Sequence, residues 1–86
     1  MKLNSKYVVK NVLDSDILID IGSIVNSVIK LNKTSKDVVE LVIKGLNREA
    51  IVDSLYEKYN VDMKTLNNDI NSFIDEMLNK GIFIDG

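Results

Sequence analysis

The sequence predicts a single α+β domain of winged helix-turn-helix-like form, a three-stranded antiparallel sheet followed by three helices. Near the N-terminus short apolar runs show the alternation of strands, whereas from about position 32 the apolar spacing becomes helical. The length, 86 residues, suits one core made of one layer packed on another.

The first strand, about 6–12, carries Tyr7, Val8, Val9 and Val12. In the second, about 17–21, Ile17, Ile19 and Ile21 alternate with Leu18 and Asp20. The third, about 24–31, alternates Val25, Ser27, Ile29 and Leu31 with Asn26, Val28 and Lys30. The links Asp14-Ser15-Asp16 and Gly22-Ser23 have the composition of hairpin turns, so the strands form a meander. Such a sheet has two edges, and a domain this small readily covers only one of them.

Helix one is expected over about 33–44, with Asn32, Thr34 and Ser35 as candidate caps and Gly45 as its stop. Its apolar residues are Val38, Val39, Leu41, Val42 and Ile43. Helix two, about 48–59, starts at an Asn47 cap and aligns Ile51, Val52, Leu55, Tyr56 and Tyr59 on one stripe. Helix three, about 63–80, starts at Asp62 and ends at Gly81, and its seam of Leu66, Ile70, Phe73 and Met77 is widened by Met63, Ile74 and Leu78. Hydrophobic staples Leu46/Ile51 and Val61/Leu66 support the last two starts. Ile82-Phe83-Ile84 then adds a short strand or packs on the core. There is no internal repeat or linker, so the whole chain, 1–86, reads as one domain.

Chemistry is scarce. His and Cys are absent, which removes most triads, thiolate nucleophiles and zinc sites, so no enzymatic activity, cofactor or metal is expected. Asp14, Asp16 and Asp20 have a spacing reminiscent of a calcium loop but lack its glycine and terminal glutamate, and a turn explains them better. Asp75 and Glu76 are neighbours on a helix, project about 100° apart and fit a solvated face rather than an acid-base pair. The first residues lack a secretory signal, and no apolar run is long enough to span a bilayer; a cytoplasmic location without membrane association is the expectation.

Function therefore falls to surfaces. Helices two and three resemble a helix-turn-helix, which makes a DNA-binding transcription regulator one reading. Charge opposes it: the net is −2, and over 63–80 Lys64 and Lys80 face Asp69, Asp75 and Glu76, so 2 − 3 = −1. A self-associating module, a homodimer joined through its open edge, is a second alternative. The reading preferred over both is an edge strand, the third, lying beside helix three, where its unpaired backbone groups accept an added strand from an extended peptide.

The order of residues resembles the pyrroloquinoline quinone biosynthesis protein D family. Ile17-Leu18-Ile19-Asp20, Val28-Ile29-Lys30-Leu31-Asn32 and Val38-Val39-Glu40-Leu41-Val42 are similar to its strand, its Leu-Asn turn and its first helix. Tyr59-Asn60-Val61-Asp62 and Asp69-Ile70-Asn71-Ser72-Phe73-Ile74, followed by Leu78, Gly81 and Ile82, resemble its second half, and the likeness spans about 75 residues. It implies the fold predicted above. It also implies a recognition element for ribosomally made, post-translationally modified peptides, which binds a precursor's leader as an extra strand and presents it to a modifying enzyme. The enzyme would be a radical S-adenosylmethionine protein, a cyclase or a leader peptidase system.

Carried onto this sequence, the peptide-binding residues are Val25, Asn26, Ser27, Val28, Ile29 and Lys30 of strand three, and Leu66, Asp69, Ile70, Phe73 and Met77 of helix three. Many relatives have aromatics in strand three where this chain has Val25, Val28 and Ile29, a departure that bears on leader selectivity.

Overall fold

The computed structural model of the chain describes residues 1–22 and 28–85. In order, the elements are β1 (Lys2–Leu3), β2 (Tyr7–Val12), β3 (Ser15–Asp20), β4 (Val28–Leu31), α1 (Lys33–Ile43), α2 (Arg48–Lys58), α3 (Met63–Asn79) and β5 (Phe83–Ile84). Three antiparallel strands followed by three helices are the α+β arrangement that the sequence predicts. Of the third strand, predicted from 24 to 31, the part Val28–Leu31 is described; the expectations for Ile24, Val25, Asn26 and Ser27 lie outside the described residues.

The first hairpin closes on two residues, Leu13 and Asp14, since Val12 pairs directly with Ser15. Both have positive φ, 50° and 67°, the pattern of a type I′ turn, whose backbone twist matches that of its strands. Sequence chemistry puts the turn later, at Asp14-Ser15-Asp16. It moves because Asp16 is a strand residue with partners of its own: its carboxylate accepts from Asn11 Nδ2 at 3.0 Å and lies 3.3 Å from Lys36 Nζ on α1. The Asn11 hydrogen bond, then Lys36, hold the Asp16 carboxyl below its usual range despite some desolvation.

Register then sorts the side chains. Leu18 sits opposite Val9 on one side and Ile29 on the other, so Tyr7, Val9, Leu18, Ile29 and Leu31 share the inner face. Val8, Ile17, Ile19 and Val28 fall on the outer face. The sheet order is β2-β3-β4, which leaves β4 at an edge among the described residues.

α2 and α3 start on the caps read in the sequence, and α1 on Asn32, one of its three candidates. Asn32 accepts from the Ser35 N–H at 2.8 Å, Asn47 from Ala50 at 2.9 Å and Asp62 from Thr65 at 3.0 Å. α1 and α3 end in the same Schellman arrangement. The Gly45 and Leu46 N–H groups reach back to Val42 and Leu41, and those of Gly81 and Ile82 to Leu78 and Met77. Gly45 and Gly81 have φ of +92° and +73°, which any other residue would adopt only under strain.

Helices and sheet meet in a core of Leu18, Leu31, Val38, Val39, Val42, Ile51, Val52, Leu55, Leu66, Ile70, Ile74, Met77, Ile82 and Phe83. Tyr56, placed by its spacing on the apolar stripe of α2, is instead exposed. A second sheet closes the bottom of this core. β1 pairs with β5, Leu3 opposite Phe83, and Asn4 clasps the chain beyond α3, donating its N–H to the Ile82 carbonyl at 2.8 Å and its Nδ2 to that of Gly81 at 3.0 Å. A strand at 82–84 is one of the two outcomes that the sequence left open; its partner, Lys2–Leu3, is too short to show a period.

Phe83 is 1% exposed and meets Phe73 edge to face, with ring centroids 6.1 Å apart. Phe83→Ala is expected to lower stability by about 3–5 kcal/mol, read as a lower urea midpoint. Conversely, Leu13 is 94% exposed in a conformation that favours Asn and Gly. The double substitution Leu13→Asn and Asp14→Gly is expected to raise stability by about 1 kcal/mol in the same measurement.

Candidate functional site

The rotation of α3 decides what faces the core and what faces the groove beside it. Leu66, Ile70, Ile74 and Met77 are its buried residues, spaced four, four and three apart. This line departs from the seam read in the sequence by taking Ile74 in place of Phe73. Phe73 consequently stands half-buried at the margin of the core, and the neighbouring row of Asp69, Ser72 and Glu76 turns toward solvent.

Between that margin and the start of α1 lies a cavity of about 550 Å³, with room for one or two large side chains. α3 supplies one wall through Leu66, Asp69, Ile70, Ser72, Phe73 and Glu76. The opposite wall is Asn32, Thr34, Ser35 and Val38, beginning with the residue that directly follows β4. Tyr59, Val61 and Thr65, around the α2–α3 turn, close one end. The cavity thus starts where the edge strand stops, and it has an apolar floor and a polar rim.

Tyr59 is held by a contact that no local spacing announces. Its hydroxyl donates to the Asp37 carboxylate, which also accepts from Lys58 Nζ at 3.0 Å. Lys58 and Lys33 lie over the Tyr59 ring at 5.4 and 5.8 Å from its centroid. Burial pushes the Asp37 carboxyl up, but the Tyr59 and Lys58 hydrogen bonds and the lysine charges outweigh it, and the net shift is downward. The same hydrogen bond raises the Tyr59 hydroxyl, and Asp37 raises the Lys58 ammonium. The result is a fixed aromatic wall at the closed end.

Of the residues singled out in sequence, Leu66, Asp69, Ile70 and Phe73 line this cavity. Met77 does not; at 2% exposed it belongs to the core, on the buried row after Ile74. Val28, Ile29 and Lys30 belong to β4, with Ile29 on the inner face and Val28 and Lys30 on the outer one. Val25, Asn26 and Ser27 lie outside the described residues. Sequence reasoning missed the α1 wall and Tyr59. Ser72 and Glu76 were open to it, being three and seven residues beyond Asp69 on one helical face.

The carboxylates weighed for catalysis have structural partners. Asp75 takes the only arginine, Arg48, at 2.6 Å, while Arg48 also donates to Asn71 at 3.0 Å and so ties the start of α2 to α3. Glu76 pairs with Lys80 one turn on, at 3.1 Å. No helix among the described residues is long and apolar enough to cross a membrane.

These features define a small winged-helix-like domain with an edge strand running into a groove on its third helix. The chain belongs to the Coenzyme PQQ synthesis protein D (PqqD) family, whose model matches residues 15–82. Among solved structures it is similar to TbiB1 in complex with the TbiA(beta) leader peptide, at 24% identity and a TM-score of 0.81 over 99% of this chain and 100% of that one. It is similar also to lasso peptide synthetase B1 complexed with the leader peptide, at 19% identity and a TM-score of 0.82 over 98% and 96% of the two chains. At these identities the likeness establishes a shared fold. No curated protein matches.

The Asp37 contact has a pH signature. Because its folded pKa lies below the unfolded value, Asp37 contributes stability that is fully present above about pH 4 and is lost as pH falls through the folded value. Asp37→Asn should therefore be less stable than the parent at pH 6, with the gap narrowing below about pH 4 and closing as pH falls through the folded value in urea titrations. Tyr59→Phe should move the Asp37 carboxyl back toward its ordinary range, read by carboxyl carbon NMR.

Proposed function

We propose that the chain is a recognition element that captures the leader of a ribosomally made precursor peptide and presents it to a modifying enzyme. The observation that carries this reading is the cavity on α3, which opens at Asn32, directly after the end of β4, an edge strand among the described residues. A leader entering as an extended chain would add to the β4 edge and lower a side chain between Phe73 and Val38 onto the floor made by Leu66 and Ile70. Family membership and the two structural neighbours, both solved with leader peptides, support the same ligand class.

The physics suits an adaptor. Backbone pairing along β4 supplies affinity with little regard to sequence, and pockets for alternate side chains supply selectivity. A buried Leu- or Phe-sized anchor contributes about 1.5–3 kcal/mol before the cost of ordering the leader. Tethering the leader raises the local concentration of the attached core peptide at a partner's active site, so the chain needs no catalytic group of its own. Within this reading the partner is a radical S-adenosylmethionine enzyme, a cyclase or a leader peptidase system, working in the cytoplasm where precursors are made.

Titrating labelled protein with synthetic leader peptides of ribosomally made precursors should, for the cognate leader, shift the amides of Val28 to Leu31, the first turn of α1 and the exposed face of α3. Shifts confined elsewhere, or none, would sink the proposal. Ser72 is exposed on the cavity wall, so Ser72→Trp should fill the groove and weaken leader binding more than tenfold while leaving the urea midpoint nearly unchanged.

A further inference from the structure

We infer that the groove selects peptides in which a lysine or arginine flanks the apolar anchor, and that Asp69 is the residue that reads this cation. The inference rests on the groove being the leader site and adds the charge class of its ligand.

The groove is chemically one-sided. Its floor, Leu66 and Ile70 with the edge of Phe73, is apolar and suits one anchor. Both carboxylates that line the cavity, Asp69 and Glu76, belong to α3 and stand on its exposed row. They are seven residues apart, two helical turns or about 10.5 Å along the axis, the length of about three residues of extended peptide. A long cationic side chain on either side of the anchor therefore comes within reach of one of them.

Of the two carboxylates that line the cavity, Asp69 is the one with no basic partner among the described residues. Asp37, Glu40, Asp75 and Glu76 each have a lysine or arginine within 4.0 Å, whereas Asp69 has none among the described residues. Its helical neighbours at three and four residues are Thr65, Leu66, Ser72 and Phe73, so nothing on its own face neutralises it. Glu76 shares its charge with Lys80 in an exposed pair that a ligand cation can join. The basic groups across the groove do not offset this. Lys58 is paired with Asp37, and Lys33 and Lys58 lie against the Tyr59 ring at the closed end. A negative rim over an apolar floor attracts a cation and repels a carboxylate at the same place.

The test is selection of a displayed library of random dodecapeptides on the immobilised full chain, repeated with Asp69→Lys, followed by affinity measurements with Asp69→Asn and Ser72→Trp. Peptides selected by the parent should carry Lys or Arg within three residues of an apolar anchor, several-fold more often than Asp or Glu. Asp69→Asn should weaken the best of them about two- to fivefold, the size expected of an exposed ion pair, and added salt should narrow that difference. Asp69→Lys should select acidic residues instead. Asp69 is exposed, so all three charge states are expected to fold, and an unchanged far-ultraviolet dichroism spectrum checks it. Peptides that bind, are blocked by Ser72→Trp and yet show no cationic preference would overturn this inference while leaving the groove as the leader site. Failure to select any peptide, or binding indifferent to Ser72→Trp, would overturn the leader-site reading and the inference with it.

Discussion

The burial of one row on α3 governs the rest of the molecule. With Leu66, Ile70, Ile74 and Met77 turned inward, the helix can be rotated by only a few tens of degrees before an apolar side chain meets water or a polar one enters the core. That rotation puts Phe73 at the margin, where its ring leans on Phe83, and it puts Asp69, Ser72 and Glu76 over the cavity. The groove is in this sense a by-product of core packing. Its floor is the upper edge of the same apolar layer that holds the domain together.

A second constraint fixes the opposite wall. α1 begins almost immediately after β4, with a single residue between them, Asn32, which caps the helix. No slack exists between them, so the cavity wall moves with the sheet edge. Arg48 ties the start of α2 to α3 through Asn71 and Asp75, and Asp37 ties α1 to the end of α2 through Lys58 and Tyr59. Individually such surface contacts are weak, but together they join the three helices that border the groove.

What was legible in the sequence was local chemistry. Asn47 and Asp62 announce helix starts because their side chains satisfy backbone donors three residues on, and Gly45 and Gly81 announce helix ends because of the φ they adopt. The strand pattern was also readable wherever a strand ran for several residues. The hairpin position was not, since Leu13 is not a turn-forming residue and nothing nearby shows that Asp16 has partners in Asn11 and Lys36. β1 and β5, two residues each and some eighty apart, leave no periodic trace. In the candidate site, Leu66, Ile70 and Phe73 could be named from the helix stripe and Asp69 only from the family resemblance, whereas separating Phe73 from Met77 required the rotation of α3. The α1 wall faces α3 residues some thirty to forty positions on, the Asp37–Tyr59 contact joins residues 22 apart, and both belong to tertiary packing.

The pairing of Lys2 with Ile84, and of Leu3 with Phe83, brings the two ends of the described chain together. The polypeptide enters and leaves the domain at adjacent strands, and the Asn4 clasp on Gly81 and Ile82 fastens the two passages to each other. Geometrically the domain is a closed cassette with a single doorway. A larger protein can carry it at either terminus, or spliced into one of its surface loops, with both connections at one spot and neither running through β4 or the groove.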